Sequence, residues 1–351
     1  MIEFLMEYGL FLAKVATLVV AILFVVGGIV SSAARQRGSR DQDGEIRVRH
    51  LNGEFDALRD GIREAVLSEP ERKVLAKQQR KDDKARAKAE KKAGAVAAER
   101  KTRVFVLDFD GDIHASGVDA LAAEISALLQ VADKKDEVVL RLESPGGLVH
   151  SYGLAASQLR RIRAGGLRLT VCVDRVAASG GYMMACIADR IIAAPFAVIG
   201  SIGVVAQVPN FHRLLKRNDV DVELLTAGEY KRTLTMFGEN TDHGRAKFQE
   251  ELEDTHLLFK DFVRENRRSL DIDRVATGEH WFGSRAKELG LVDDLHTSDD
   301  YLLSRCRDAE VYEVTWHARQ KLAERLGLSF ESAVMRITER WFHRGGQRWW
   351  Q

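Results

Sequence analysis

From Arg103 onward the chain alternates short apolar runs with helix-patterned stretches, and glycine closes most of them. RVFVLDFDGDI (103–113) reads as a strand, and DALAAEISALLQVA (119–132) carries helical spacing. EVVLRLESPGG (137–147) is a strand ending in a Pro-Gly-Gly turn, and YGLAASQLRRIRAGG (152–166) is a helix with a glycine stop. LRLTVCVDRVAASGG (167–181) reads as one further strand. Strands and helices alternating at this length predict βαβ units and a mainly parallel sheet. Ligands on such sheets gather at the C-terminal ends of the strands. The pairs Gly146-Gly147 and Gly180-Gly181 both fall at such ends.

The second pair lies in VAASGGYMMAC (176–186), where a lone serine, Ser179, sits among alanines and glycines. Small neighbours let the backbone turn sharply and let another segment approach closely. That suits a presented nucleophile, but taken alone the stretch reads first as a plain strand-to-helix turn. Ala177 also stands where the G-x-S-x-G nucleophile elbow has its first glycine. A hydroxyl nucleophile needs a base and an oxyanion site. The backbone N–H groups of Gly147 and Gly180 suit the second task, because no side chain blocks approach. For the base, His150, His243 (in NTDHG) and His280 (beside Trp281) read as surface or packing histidines. A lysine serves where burial disfavours its charge. Lys231, in AGEYKRTLT, follows the strand-like DVELLTA (221–227), although a lysine so placed is ordinarily a surface residue.

The 351 residues leave room for one sizeable domain with appendages. A net charge of +1 argues against a nucleic-acid partner. From Arg72 to Arg103 there are 13 Lys/Arg against 4 Asp/Glu, a local +9 that leaves −8 for the remainder. This stretch, KQQRKDDKARAKAEKKAGAVAAER included, has almost no large apolar residue and reads as a solvated helix or tether. A short helical pattern, LNGEFDALRDGIREAVL (51–67), precedes it. The three cysteines, Cys172, Cys186 and Cys306, form no CxxC pair and read as packed free thiols. No histidine falls at ligand spacing with a cysteine or a second histidine, so no metal and no cofactor is expected.

Val15–Ala34 carries no charge, and its twenty residues rise about 30 Å as a helix, the thickness of a bilayer core. The apolar run extends back to Tyr8 across Lys14, which can snorkel. Glu3 and Glu7 replace the basic start of a cleaved signal, so residues 8–34 read as a retained anchor in the lipid bilayer. Arg35, Arg37 and Arg40 place the bulk of the chain in the cytoplasm by the positive-inside rule. At the far end, Trp341, Phe342, Trp349 and Trp350 stand among arginines, a pattern open to membrane-surface contact or to packing on the protein itself.

LRLESPGGLVHSYGLAASQL, VDRVAASGGYMMACIADRIIAAPFAVIGSIGVV and TAGEYKRTLT, in this order and spacing, resemble the signal-peptide peptidase (SppA-like) family of membrane serine proteases, in its single-domain branch. The similarity spans about residues 103–300 and ends in GEHWFGSRAKELGLVDDL. It implies an α/β fold of the crotonase/Clp-protease type, with repeated ββα and βαβ units, preceded by one transmembrane helix and a charged helical spacer. It implies a Ser–Lys dyad on Ser179 and Lys231, Ser201 in GSIGVV orienting the lysine, and oxyanion amides on Gly147 and Gly180. It further implies peptide or protein substrates such as membrane-derived signal-peptide remnants, a homo-oligomer, and a periplasmic catalytic domain on the bacterial inner membrane, against the arginine pattern. The expected organisation is an anchor (1–34), a spacer (35–102), a peptidase domain (103–310) and a basic, Trp-rich helical tail (311–351). An acyl-CoA-binding enzyme of the same fold, or a non-catalytic membrane scaffold, is the alternative.

Overall fold

The computed structural model describes residues 8–11, 14, 15, 17, 44–93 and 101–318. In chain order the elements are β1 (Gly44–His50), α1 (Leu51–Val66), α2 (Glu69–Ala93), β2 (Arg103–Asp110), α3 (Val118–Leu128), β3 (Glu137–Glu143) and α4 (Val149–Ala164). There follow β4 (Arg168–Val173), β5 (Val176–Ala178), α5 (Gly180–Ala185), β6 (Arg190–Ala193), β7 (Val198–Gly200), α6 (His212–Arg217) and α7 (Asp242–Asn266). The last are α8 (Ile272–Val275), β8 (His280–Phe282), α9 (Gly283–Glu288), β9 (Asp294–Leu295), α10 (Ser298–Arg305) and β10 (Glu310–Ala318). Residues 46–315 form one compact unit. The other unit joins residues 1–45 and 316–351; its described residues include a helical stretch at 8–11 and Gly44, which lies against the Trp316 indole.

The fold is α/β, with two sheets. The larger has the order β1-β10-β2-β3-β4-β6-β9, and the smaller the order β5-β7-β8. Every pairing from β10 to β9 in the large sheet is parallel, as the strand and helix alternation predicts. Its strands read as near-continuous apolar runs because both faces are buried. Phe105, Leu107 and Phe109 of β2 face the main core, with Val138, Leu140 and Leu142 of β3 and Leu169 and Val171 of β4. The intervening Val104, Val106, Val139 and Cys172 face a second cluster capped by Tyr301 and Leu302 of α10 and Leu51 of α1. A buried carboxylate sits on that second face. Glu137 accepts from Thr170 Oγ1 and Tyr301 Oη, both at 2.6 Å, and from Arg305 Nε at 3.1 Å.

The single strand expected over 167–181 is two strands in two sheets. The chain leaves the large sheet at Asp174, whose carboxylate accepts from Ser298 N–H at 2.7 Å, and re-enters the small sheet at Val176. Arg175 turns outward to pair with Glu143. The 51–67 pattern is the helix α1, and residues 69–93 of the charged spacer are the helix α2. Cys172 and Cys186 are buried and Cys306 half-buried, and desolvation pushes the first two thiols up to about 12. Among the described residues no helix is long and apolar enough to cross a membrane. Nearly all of the expected anchor, and Trp341, Phe342, Trp349 and Trp350 of the tail, lie outside the described residues.

Leu140 has no exposed surface and sits on β3 between β2 and β4. Leu140→Ala is expected to lower stability by about 3 kcal/mol through lost burial plus a cavity. Leu58→Ala, at a residue of α1 that is 67% exposed, is expected to change it by less than about 0.5 kcal/mol. Urea unfolding of the two variants checks both.

Candidate active site

Ser179 is the single residue between β5 and α5, with φ 52° and ψ −117°. Side chains of L-residues rarely adopt a positive φ, and such strain persists only where the surroundings fix it. Here they do. The Ser179 N–H donates to the Gly200 carbonyl at 2.8 Å, and its own carbonyl accepts from Met183 N–H at 3.0 Å. A strand–serine–helix elbow therefore forms although Ala177 replaces the usual first glycine.

β5 pairs in parallel with β7, Ala178 opposite Gly200, so the next residues along, Ser179 and Ser201, leave adjacent strand ends together. Ser201 also has φ 52°. Its N–H donates to the Glu279 carbonyl at 2.7 Å, and its carbonyl accepts from Gly203 N–H at 2.9 Å.

The Gly146-Gly147 turn leaves β3 beside this pair. Ser144 ties it to β5, donating its N–H to Val176 at 2.8 Å and accepting from Ala178 N–H at 3.0 Å. A Cβ on Gly147 would lie 2.2 Å from the Ile113 carbonyl oxygen, and one on Gly180 only 2.4 Å from Cγ of the Tyr152 ring. Neither position has room for a side chain. Among the described residues, the N–H groups of Gly147 and Gly180 donate to no protein acceptor. With Ser179 they line one cleft, together with Val149, Met183, Gly203, Val204, Thr255 and Phe259.

Lys231 stands apart from this group. It is exposed, on a stretch from Asn218 to Thr241 that contains neither helix nor strand, and it does not line the cleft. The strand-like DVELLTA finds no partner strand among the described residues, and Val222, Leu224 and Leu225 are exposed. His150, His243 and His280 are also exposed and do not line the cleft. The structure thus brings together Ser179, Ser201, Gly147 and Gly180, and leaves Lys231 outside.

Three polar groups behind the glycine turn carry no signal in the sequence beyond the serine of SPGG. Gly146 N–H donates to Ser144 Oγ at 3.1 Å, Ser144 Oγ lies 2.6 Å from Tyr152 Oη, and Tyr152 Oη donates to the Asp112 carbonyl at 2.8 Å. Burial pushes the Tyr152 phenol above its ordinary pKa, with the Ser144 hydroxyl pulling the other way. The Asp112 carboxylate accepts from Ser116 N–H at 2.9 Å and His114 N–H at 3.1 Å, contacts that hold its pKa below the usual carboxylate range, Ser116 first.

Comparison with known proteins places the chain among peptidases. The family Peptidase family S49 N-terminal matches residues 3–159 and Peptidase family S49 matches residues 161–311. The chain belongs to peptidase family S49. Within it, the chain is 51% identical over 343 residues to "Probable protease SohB" of Haemophilus influenzae, covering 97% of this chain and 96% of that one. The protein of the same description from Buchnera aphidicola (subspecies Schlechtendalia chinensis) is 48% identical over 307 residues, covering 86% of this chain and 100% of that one. A solved mutant of a membrane-bound stomatin-specific protease gives a TM-score of 0.42 at 13% identity, covering 63% of this chain and 100% of that one.

Strain at Ser179 has a measurable consequence. Ser179→Gly is expected to raise stability by about 1 kcal/mol, the relief of the positive φ being partly offset by glycine's greater unfolded entropy. Gly180→Ala is expected to lower it by about 2 kcal/mol, because the methyl group meets the Tyr152 ring. Thermal unfolding of both variants, converted to free energy, tests the opposite signs.

Proposed function

We propose that the chain is a membrane-anchored serine endopeptidase in which Ser179 is the nucleophile and Lys231 the general base. One observation carries this reading: a strained serine that lines one cleft with two glycine amides, neither of which donates to an acceptor among the described residues. The Ser179 hydroxyl attacks a peptide carbonyl while Lys231, as the neutral amine, takes its proton. The Gly147 and Gly180 N–H groups receive the oxyanion, each donor contributing about 3–4 kcal/mol of transition-state stabilisation. Ser201, beside Ser179 in the β5–β7 register, holds the amine in place. The protonated lysine then donates to the leaving amine, and water, deprotonated in turn by Lys231, releases the acyl group from Ser179. No metal or organic cofactor enters these steps.

The reading requires the 218–241 stretch to carry Lys231 up to the cleft. Exposed apolar residues along it and just before it, Val205, Phe211, Leu225 and Phe237, support a covered state in a homo-oligomer. Burial against such a surface is also what lets a lysine amine shed its charge. The apolar walls, Val149, Met183, Val204 and Phe259, support extended peptides with an apolar residue beside the cut, as membrane-derived peptides and signal-peptide remnants have. The uncharged run Val15–Ala34 supports a single span in the bacterial inner membrane, and the family resemblance, against Arg35, Arg37 and Arg40, supports a catalytic domain on the periplasmic side.

Full-length protein in detergent is expected to react with a fluorophosphonate probe and to cleave a quenched apolar peptide. Ser179→Ala should abolish both, and Lys231→Ala should lower the labelling rate at least 100-fold, at the lower end of general-base contributions of about 10²–10⁴. Labelling that persists in Ser179→Ala would overturn the assignment of the nucleophile.

A further inference from the structure

Tyr152 reaches both glycine turns by different routes, through Ser144 to Gly146, the neighbour of Gly147, and through its ring to Gly180. Its phenol has one proton, and the Asp112 carbonyl, which can only accept, takes it at 2.8 Å. The 2.6 Å contact with Ser144 must then be Ser144 Oγ–H donating to Tyr152 Oη. That leaves the Ser144 oxygen to accept the Gly146 N–H at 3.1 Å. The direction of the chain is therefore fixed, from Gly146 through Ser144 and Tyr152 to Asp112. Ser144 and Tyr152 have no exposed surface, so solvent does not compete. The far end is anchored too, since Leu148 N–H donates to the neighbouring Ile113 carbonyl at 2.9 Å. The other route is steric. The Tyr152 ring fills the space a Gly180 side chain would need, and it is itself backed edge-on by Phe109.

We propose that Tyr152 is the positioning residue of the oxyanion site, setting the spacing of the Gly147 and Gly180 amides through its hydroxyl on one side and its ring on the other. The inference rests on the peptidase reading. Oxyanion donors work only at about 2.7–3.1 Å from the developing charge, so a small shift of either amide weakens the transition state more than the bound substrate. Tyr152→Phe keeps the ring and removes the pin.

The test uses the full-length protein in detergent, with a quenched apolar peptide, a peptidyl boronate that forms a tetrahedral adduct, and a fluorophosphonate. Tyr152→Phe is expected to lower kcat on the order of tenfold at unchanged KM and to weaken the boronate about equally, less than the 10²–10³ lost with a whole donor. Ser144→Ala should do the same, and the double variant should be little worse than either, since the two act in one chain. Tyr301→Phe is the control: it removes a buried hydroxyl from Glu137 on the other face of the sheet, and should lower Tm but not kcat or boronate affinity. Wild-type kcat and boronate affinity in both Tyr152→Phe and Ser144→Ala would overturn the proposal, as would an equal loss of kcat in Tyr301→Phe. If Tyr152→Phe does not fold, Ser144→Ala decides alone. Wild-type protein that fails to label at Ser179 would instead sink the peptidase reading, and this inference with it.

Discussion

The approach of the β3 end to the β5 end, with no side chain between them, is the contact on which the site depends. A Cβ on Gly146 would lie 2.7 Å from the Ser179 Cβ and 2.8 Å from the Gly180 nitrogen. At that separation the backbone of one turn forms the wall of the other, and two amides from different strands come to face one cleft. The same closeness explains how Ser179 keeps its unfavourable φ. Its amide is committed to Gly200, its carbonyl to Met183, and the residue before it to Ser144. Strain of about 1–3 kcal/mol is held in place by this set of hydrogen bonds.

How much of this was legible in the sequence follows from the range of the interactions. The sheet was legible because it is buried on both faces, which writes apolar runs such as VFVL and VVL into its central strands. The glycine turns were legible because close approach admits no other residue, and Gly147 and Gly180 stand where the spacing put them. The split of 167–181 into β4 and β5 was not. Asp174 and Arg175 look like strand residues in isolation, and only their partners Ser298 and Glu143 reveal the break. Tyr152 was hidden for the same reason. Within YGLAASQL it fits an ordinary helix face, and its hydroxyl acquires meaning only beside Ser144 and Asp112.

Lys231 marks the other limit. The order of SPGG, ASGGY and YKR along the chain is a strong family signature, but order in sequence carries no information about distance. The segment bearing the lysine shows why: DVELLTA has strand composition and no strand beside it. β-propensity measures fit to a pleated, half-buried surface, and without such a surface the same residues remain irregular and exposed. The fixed part of the site is thus drawn mainly from residues 111–203, with Ser201 tied on to Glu279, and the lysine segment does not join it.

That division is the physically sensible one. Stabilising a developing oxyanion requires dipoles already aimed when the charge appears, because reorienting them during the reaction would cost what they supply. A backbone amide meets that demand only where its surroundings hold it, and the proposed donor Gly147 lies between the Leu148–Ile113 hydrogen bond and the Ser144 tie to β5. A base has a looser requirement, since a flexible lysine stem can search for its hydrogen bond once the segment carrying it is in place. Precision is therefore concentrated where the backbone does the work. Tyr152 sits at that point because a rigid ring with one proton to give fixes both a distance and a direction.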